Sequence, residues 1–327
     1  MLPDAAFLGI VEPHRRAIRL HCYRLLGSAH DGDDMVQETW LRAWRAKASL
    51  ADTARVKPWL YRIATNVCLD ELKQRPRRML ACDAYPPVED ARPPFTSVDE
   101  PVWLEPVPDS WLEGQESDPH ARVALRESVA LAFVAALQFL SPVQRATLLL
   151  RDVVGLSGEE TASALNLALP AANSALFRAR AAVEDKLGGS DSRAIAAHAT
   201  VDRELLGRYV RAFEEARIDD IVALFHDDMR TTMPPIAAWV RGRTANERFY
   251  RHMFGNLVPG QFRHLYVGAN GAPALAFYRP ASPGAPHTLH AIEMVTTRDG
   301  AIVTVDHMLM RDVFPLFAVP KEWSGRT

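Results

Sequence analysis

Residues 140–187 read LSPVQRATLLLRDVVGLSGEETASALNLALPAANSALFRARAAVEDKL. Ser141 before Pro142 is an N-cap followed by a first-turn proline, which opens a helix running to about Val153. Ser157, with Glu160 three residues on, is a capping box that opens a short helix to about Asn166. Pro170 opens a longer one to Leu187. Ala162, Ala164 and Leu165 supply the small-residue packing that lets two helices cross closely. Helix, short helix, tight turn, proline-opened helix is the geometry of a helix-turn-helix. Its second helix enters the major groove with N-terminal residues leading, here Ala171, Ala172, Asn173 and Ser174. Asn173 has the amide for a bidentate base-edge contact, and Ser174 suits a base or a phosphate. Arg178 and Arg180, further along, suit phosphates and set register. Any αα-hairpin can mimic this motif, so the neighbouring segments carry the decision.

Upstream, residues 13–75 are helical by periodicity. Ile18, Cys22 and Leu25 share one face, and Gly27 ends their helix. A second helix spans about 31–47, with Val36, Trp40 and Ala43 buried. A third starts at Pro58, with Leu60, Ile63 and Val67 as its stripe. Asp31, Asp34 and Glu38 recur at i, i+3, i+7, with Gln37 beside them. Like charges at that spacing cost a few tenths of a kcal/mol each. The helix N-terminus repays the early ones, but not Glu38, which a basic protein partner would explain. Outside its stripe the third helix shows Trp59, Arg62, Asn66 and Lys73. Cations interleaved with an aromatic and an amide suit nucleic acid, with Trp59 placed to stack on an unpaired base.

Charge is segregated along the chain. Residues 14–78 hold fourteen Lys/Arg against seven Asp/Glu, a net of +7, while residues 79–119 carry a net of −9. A basic block beside an acidic tether suits a polyanion partner for the block. The tether, with nine prolines in 76–119, contains PVWLEPVPDSWL at 101–112. Such acidic, proline-rich chain is usually solvated. Trp103, Leu104, Trp111 and Leu112 have no reason to be there unless they anchor the segment to something.

The chain continues through a small flexible hinge at 189–200 into an α+β region at 201–320. Two helical stretches (201–217, 219–226) precede a strand-like MRTTM, a helix at about 244–254 and four β segments. Asn270-Gly271 and Asp299-Gly300 mark turns between them. No run of 18 apolar residues exists, so no transmembrane helix is expected. Cys22, Cys68 and Cys82 form no metal spacing. The expected protein is cytoplasmic, without a cofactor or a metal.

The stretches DGDDMVQETWLRAWRA, KPWLYRIATNVCLDELKQRPRR and LSPVQRATLLLRDVVGLSGEETASALN with FRARAAVED, in that order, resemble the extracytoplasmic-function group of bacterial sigma factors over about residues 10–187. The region from 200 resembles the SnoaL-like, nuclear-transport-factor-like cone. The resemblance implies two all-α DNA-binding domains, at 1–78 and 120–188, joined by an acidic linker at 79–119 and followed by an α+β cone. It implies a non-enzymatic subunit that binds core RNA polymerase through the β′ clamp helices and the β flap, and promoter DNA, with no membrane partner. Asp31, Asp34, Gln37 and Glu38 match the clamp-gripping positions. The loop 48–57 with Trp59, Arg62 and Asn66 matches the surface that opens the −10 element. The helix-turn-helix would read the −35 element. The linker would thread the polymerase cleft, and its Trp-Leu pairs would dock on the cone or in the groove between domains.

Cones of this kind include isomerases and cyclases with a buried Asp/His pair. Their counterparts here are His290, Glu293, Asp306 and His307, which a small ligand could also use. By strand alternation Glu293 lies on the face opposite His290, Ile292 and Met294. In such sigma factors the cone is expected to regulate activity in cis. A ligand-sensing helix-turn-helix regulator is the alternative function.

Overall fold

A computed structural model describes residues 4–50, 52–98, 103–114, 118–188 and 202–323. The chain forms two compact units: residues 1–78 with 111–189, and residues 79–110 with 190–327. Both units are therefore discontinuous in sequence. The expected hinge at 189–200 lies outside the described residues.

The first unit is helical: α1 (Asp4–Val11), α2 (Arg15–Leu26), α3 (Ala29–Arg45) and α4 (Val56–Leu72) precede the linker. Gly27, at φ 72°, closes α2 in the left-handed conformation that glycine adopts without cost. Ser28 then caps α3 by accepting from the Asp31 N–H. The apolar positions fall as expected: Ile18, Cys22 and Leu25 pack with Val36, Ala43, Leu60 and Cys68.

After the linker come α6 (Pro119–Glu127), α7 (Leu131–Gln138), α8 (Pro142–Leu148), α9 (Gly158–Ala164) and α10 (Leu169–Gly188), with α5 (Ala81–Ala84) a single turn within the linker. Helices α7 to α10 join the same core, while α6 buries no residue. Leu137, Leu140, Leu149, Leu150, Leu176 and Ala179 share one cluster with the α2–α4 residues. The two helical domains read from the sequence thus have a common interior. Two buried arginines fasten them. Arg24 of α2 donates to the Ser128 carbonyl and hydroxyl, at 3.0 and 2.6 Å. Arg145 of α8 donates to the Leu25 carbonyl and to Gln138. Between α6 and α7 the chain breaks at 128–130, where Ser128 serves Arg24. The expected helix to Val153 is α8 followed by a π turn, Leu149–Val153.

The second unit lays helices α11 (Arg203–Glu214), α12 (Ile218–Ala223) and α13 (Arg243–Phe254) on a six-stranded sheet. The strands are β1 (Phe225–Met233), β2 (Ile236–Arg241), β3 (Arg263–Ala269), β4 (Ala272–Pro280), β5 (His287–Arg298) and β6 (Ala301–Met308), in the order β2-β1-β6-β5-β4-β3. β1 runs parallel to β6 and all other pairs are antiparallel. Asn270 and Gly271, at φ 52° and 81°, make the β3–β4 hairpin turn that the sequence predicts. The short strand β2 escaped the sequence pattern.

Residues 79–98 and 103–110 form a strap on this unit rather than a free tether. Along the edge strand β2, the Val88 and Val98 N–H groups donate to the Trp239 and Pro235 carbonyls, at 2.8 and 2.9 Å. At the other edge, Val107 and Asn270 exchange two hydrogen bonds, and Asp109 accepts from the Gly271 N–H at 2.7 Å. A Cβ on Gly268 would stand 2.5 Å from the Asp109 carboxylate, so glycine is required for this approach. Trp103, Leu104 and Val107 are buried, and the Trp103 indole donates to Val98.

Candidate protein and nucleic-acid interfaces

On α3 the four expected partner-binding residues separate into two kinds. Asp31 is buried, with its two oxygens held by Arg75 and Arg78 at 2.5 and 2.7 Å. It is not free to grip a partner in this fold; it ties α3 to the end of the basic block. Asp34 and Gln37 are exposed, and Glu38 is half-buried beside Arg42 at 2.7 Å. Sequence reasoning missed the apolar continuation. Leu41 and Trp44, 53% and 37% exposed, extend the Asp34–Gln37 stripe at helical spacing. An acidic stripe with apolar residues at its end suits a basic protein partner.

On α4, Arg62 and Lys73 are exposed, while Trp59 and Asn66 are half-buried. The Trp59 indole donates to the Ser49 hydroxyl at 3.1 Å, and its edge meets Phe7. Asn66 donates to the Arg62 carbonyl and to the Ala164 carbonyl of α9, at 2.8 and 3.2 Å. Lys57 reaches the Val154 carbonyl at 2.9 Å. The helix-turn-helix therefore covers part of the α4 face that the sequence assigns to DNA.

Helix α10 keeps its leading edge open. Ala171, Asn173, Ser174 and Arg178 are exposed, while Ala172, Ala175, Leu176 and Ala179 pack inward. Arg180 is exposed but paired with Asp152 at 2.6 Å. The missed residue is Phe177, 76% exposed one turn beyond Asn173. The turn before α10 lacks the usual glycine, and Asn166 takes the left-handed place at φ 55°.

The linker anchors divide between the units. Trp103 belongs to the cone unit, whereas Trp111 belongs to the helical unit. There the Arg19 guanidinium lies 3.5 Å above the Trp111 ring, and Tyr23 meets it edge-on. Leu112 is half-buried and Leu104 fully buried. The Trp-Leu pairs, expected on the cone or in the groove between domains, thus fall one in each unit.

Of the four candidate pocket residues, Glu293 and His307 meet, with Oε1 and Nδ1 2.7 Å apart. Ala291 and Val295, on the Glu293 face of β5, belong to the core beneath the helices. Asp306 alternates to the other face, where it accepts from the Thr232 hydroxyl at 2.6 Å. His290 is half-buried at an irregularity opposite Phe277 and Tyr278.

Residues 10–78 match Sigma-70 region 2, residues 130–183 match Sigma-70 region 4, and residues 206–305 match the SnoaL-like domain. The chain is 40% identical over 315 residues to the ECF RNA polymerase sigma factor SigG of Mycobacterium tuberculosis, covering 96% of this chain and 84% of that one. It is 27% identical to SigJ of the same organism, over 91% of each chain. The crystal structure of SigJ superposes with a TM-score of 0.61 at 25% identity, covering 94% of this chain and all of that one.

Proposed function

The chain belongs to the extracytoplasmic-function RNA polymerase sigma factors, and from that premise we propose how its surfaces divide the work of promoter recognition. Sigma factors recognise promoters with RNA polymerase and are not enzymes, so the SnoaL-like cone is assigned no reaction. The α3 stripe of Asp34, Gln37, Leu41 and Trp44, flanked by Glu38, docks on the β′ clamp helices. The α4 face with Trp59, Arg62, Asn66 and Lys73 acts on the −10 element. The leading edge of α10 reads the −35 element. Polymerase and promoter place this work in the cytoplasm; among the described residues no helix is long and apolar enough to cross a membrane.

The compact helical unit is the resting form. The two promoter elements are separated by about 25 base pairs, or about 85 Å at 3.4 Å per base pair. No chain can read both while Asn66 bonds the Ala164 carbonyl and Lys57 bonds the Val154 carbonyl. That pair of contacts carries the proposal. The strap is likewise engaged by the cone, so the cone regulates in cis by withholding the segment that would thread the polymerase cleft. With fluorophores on α4 and α10, energy transfer is expected to be high in the free chain and to collapse when core polymerase and promoter are added. Unchanged transfer in an initiating complex refutes the resting-form assignment.

The α10 residues separate by readout. Arg178→Ala is expected to weaken DNA binding across all sequences and to reduce the salt slope by about one. Phe177→Ala is expected to weaken binding only where a thymine methyl meets the ring. Competition binding with single-base −35 variants, at several salt concentrations, distinguishes the two. A sequence-restricted loss for Arg178, or a uniform one for Phe177, contradicts the assignment.

A further inference from the structure

The first helix of the chain lies where the polymerase face and the −10 face meet. Helix α1 has eight residues, too few to hold its shape alone. Phe7 and Val11 are the residues it buries. Its start is tied to the turn after α3 by an ion pair between Asp4 and Lys47. Lys47 opens the turn Lys47–Ser49, and its ammonium lies 4.5 Å from the centre of the Trp44 ring.

Phe7 stands between two tryptophans and is 1% exposed. Its ring centre is 5.8 Å from that of Trp44, with the planes at 75°. It is 6.2 Å from that of Trp59, with the planes at 88°. Both are edge-to-face contacts, an arrangement that aromatic rings prefer. Trp44 ends the α3 stripe assigned to the clamp, and Trp59 is the ring on α4 assigned to the −10 element. A second line joins the same two places. The Trp59 indole donates to the Ser49 hydroxyl at 3.1 Å, and that hydroxyl donates to the Ala46 carbonyl at 2.7 Å. Ala46 is the C-cap of α3. Two ties of Trp59 thus lead to the end of α3, where the polymerase stripe stops.

Filling the core does not require this arrangement. Leucine or methionine at position 7 would supply apolar bulk, but neither has an edge and a face to set two indoles against. Stacking on an unpaired base needs the face of Trp59 held in one direction. A ring fixed beforehand loses less freedom on binding. Trp44 keeps surface of its own, so a partner seated on α3 restricts it, and side chains in direct contact pass such a restriction on.

We propose that Phe7 is a positioning residue for promoter opening. It holds Trp59 in the orientation set by Trp44, so that the polymerase face and the −10 face act through one aromatic joint. This rests on the assignment of those two faces above.

The test uses the full chain with core polymerase, on a promoter selected from random-sequence DNA by the wild-type holoenzyme. Permanganate reactivity of thymines at the −10 element reads the opening constant with holoenzyme saturating. Competition binding reads polymerase affinity separately. Phe7→Leu and Phe7→Met are each expected to lower the opening constant about tenfold. Trp44→Ala and Trp59→Ala are then combined in a double-mutant cycle. In the wild-type chain the double variant is expected to open at least about threefold better than the product of the single losses predicts. In the Phe7→Leu chain the two losses should simply multiply. A residue that only fills the core would lower stability without removing that coupling. Losses that multiply in the wild-type chain overturn the proposal, as does coupling that survives Phe7→Leu. If neither ringless variant folds by circular dichroism, Asp4→Lys, which sets like charges at the start of α1, must reduce the coupling instead. Unchanged coupling there overturns the proposal too. Trp59→Ala that opens the promoter like the wild type, or Trp44→Ala that keeps full polymerase affinity, refutes the face assignments themselves, and the joint falls with them.

Discussion

Asp34→Lys with Glu38→Lys is expected to weaken binding to core polymerase about a hundredfold, roughly 2.7 kcal/mol. The loss should grow as salt is lowered, because like charges then repel over a longer range. Folding should hardly change. Asp34 is exposed, and the Glu38–Arg42 pair is an i,i+4 surface contact worth about 0.3–0.5 kcal/mol. Asp31 supplies the contrast. Its removal takes the buried Arg78 off its Asp31 partner and lowers stability, while the exposed Arg75 keeps Glu71. Thermal melts beside competition binding to labelled core polymerase separate the two effects. Unaltered polymerase affinity in the double reversal would falsify the clamp contact.

The two tryptophans should report on different bodies. Trp103→Ala is expected to destabilise the cone unit by about 3–5 kcal/mol, the usual cost of truncating a buried Trp. Hydrogen exchange should quicken at the strap and at the β3–β4 turn, where Val107 and Asp109 bond to Asn270 and Gly271. Trp111→Ala should leave those amides protected and loosen α2 instead, since Arg19 and Tyr23 hold that ring. Exchange mapped residue by residue decides it. If both variants loosen the same elements, the division of the strap between the units is mistaken.

Much of this was legible in the sequence because it depends on local chemistry. Capping boxes at Ser141 and Ser157, the glycine after α2 and the Asn270-Gly271 turn all act within a few residues. Each stands where the sequence put it. The α3 stripe was legible as a pattern but not as a set of roles. Whether Asp31 faces a partner or its own chain depends on Arg75 and Arg78, more than forty positions away. The break at Ser128 answers to Arg24, 104 positions upstream. The strap was the hardest feature to read. Its acids and prolines are those of a solvated tether, and its bonds lie up to 163 positions downstream. In the cone, alternation separated Glu293 from its neighbours but could not say which face was interior.

The discontinuity of both units sets an order of events during synthesis. The helical unit has all its residues once position 189 leaves the ribosome, whereas the strap must wait for the hairpin at 270 and for the strands after it. At about 5–20 residues per second, the remaining chain takes roughly 7–28 s to emerge. Through that interval the newborn factor carries Trp103, Leu104 and Val107 with no cone to receive them. A nascent chain can therefore meet polymerase with its strap unclaimed, and a mature chain cannot. Control by the cone is then something each molecule acquires with age.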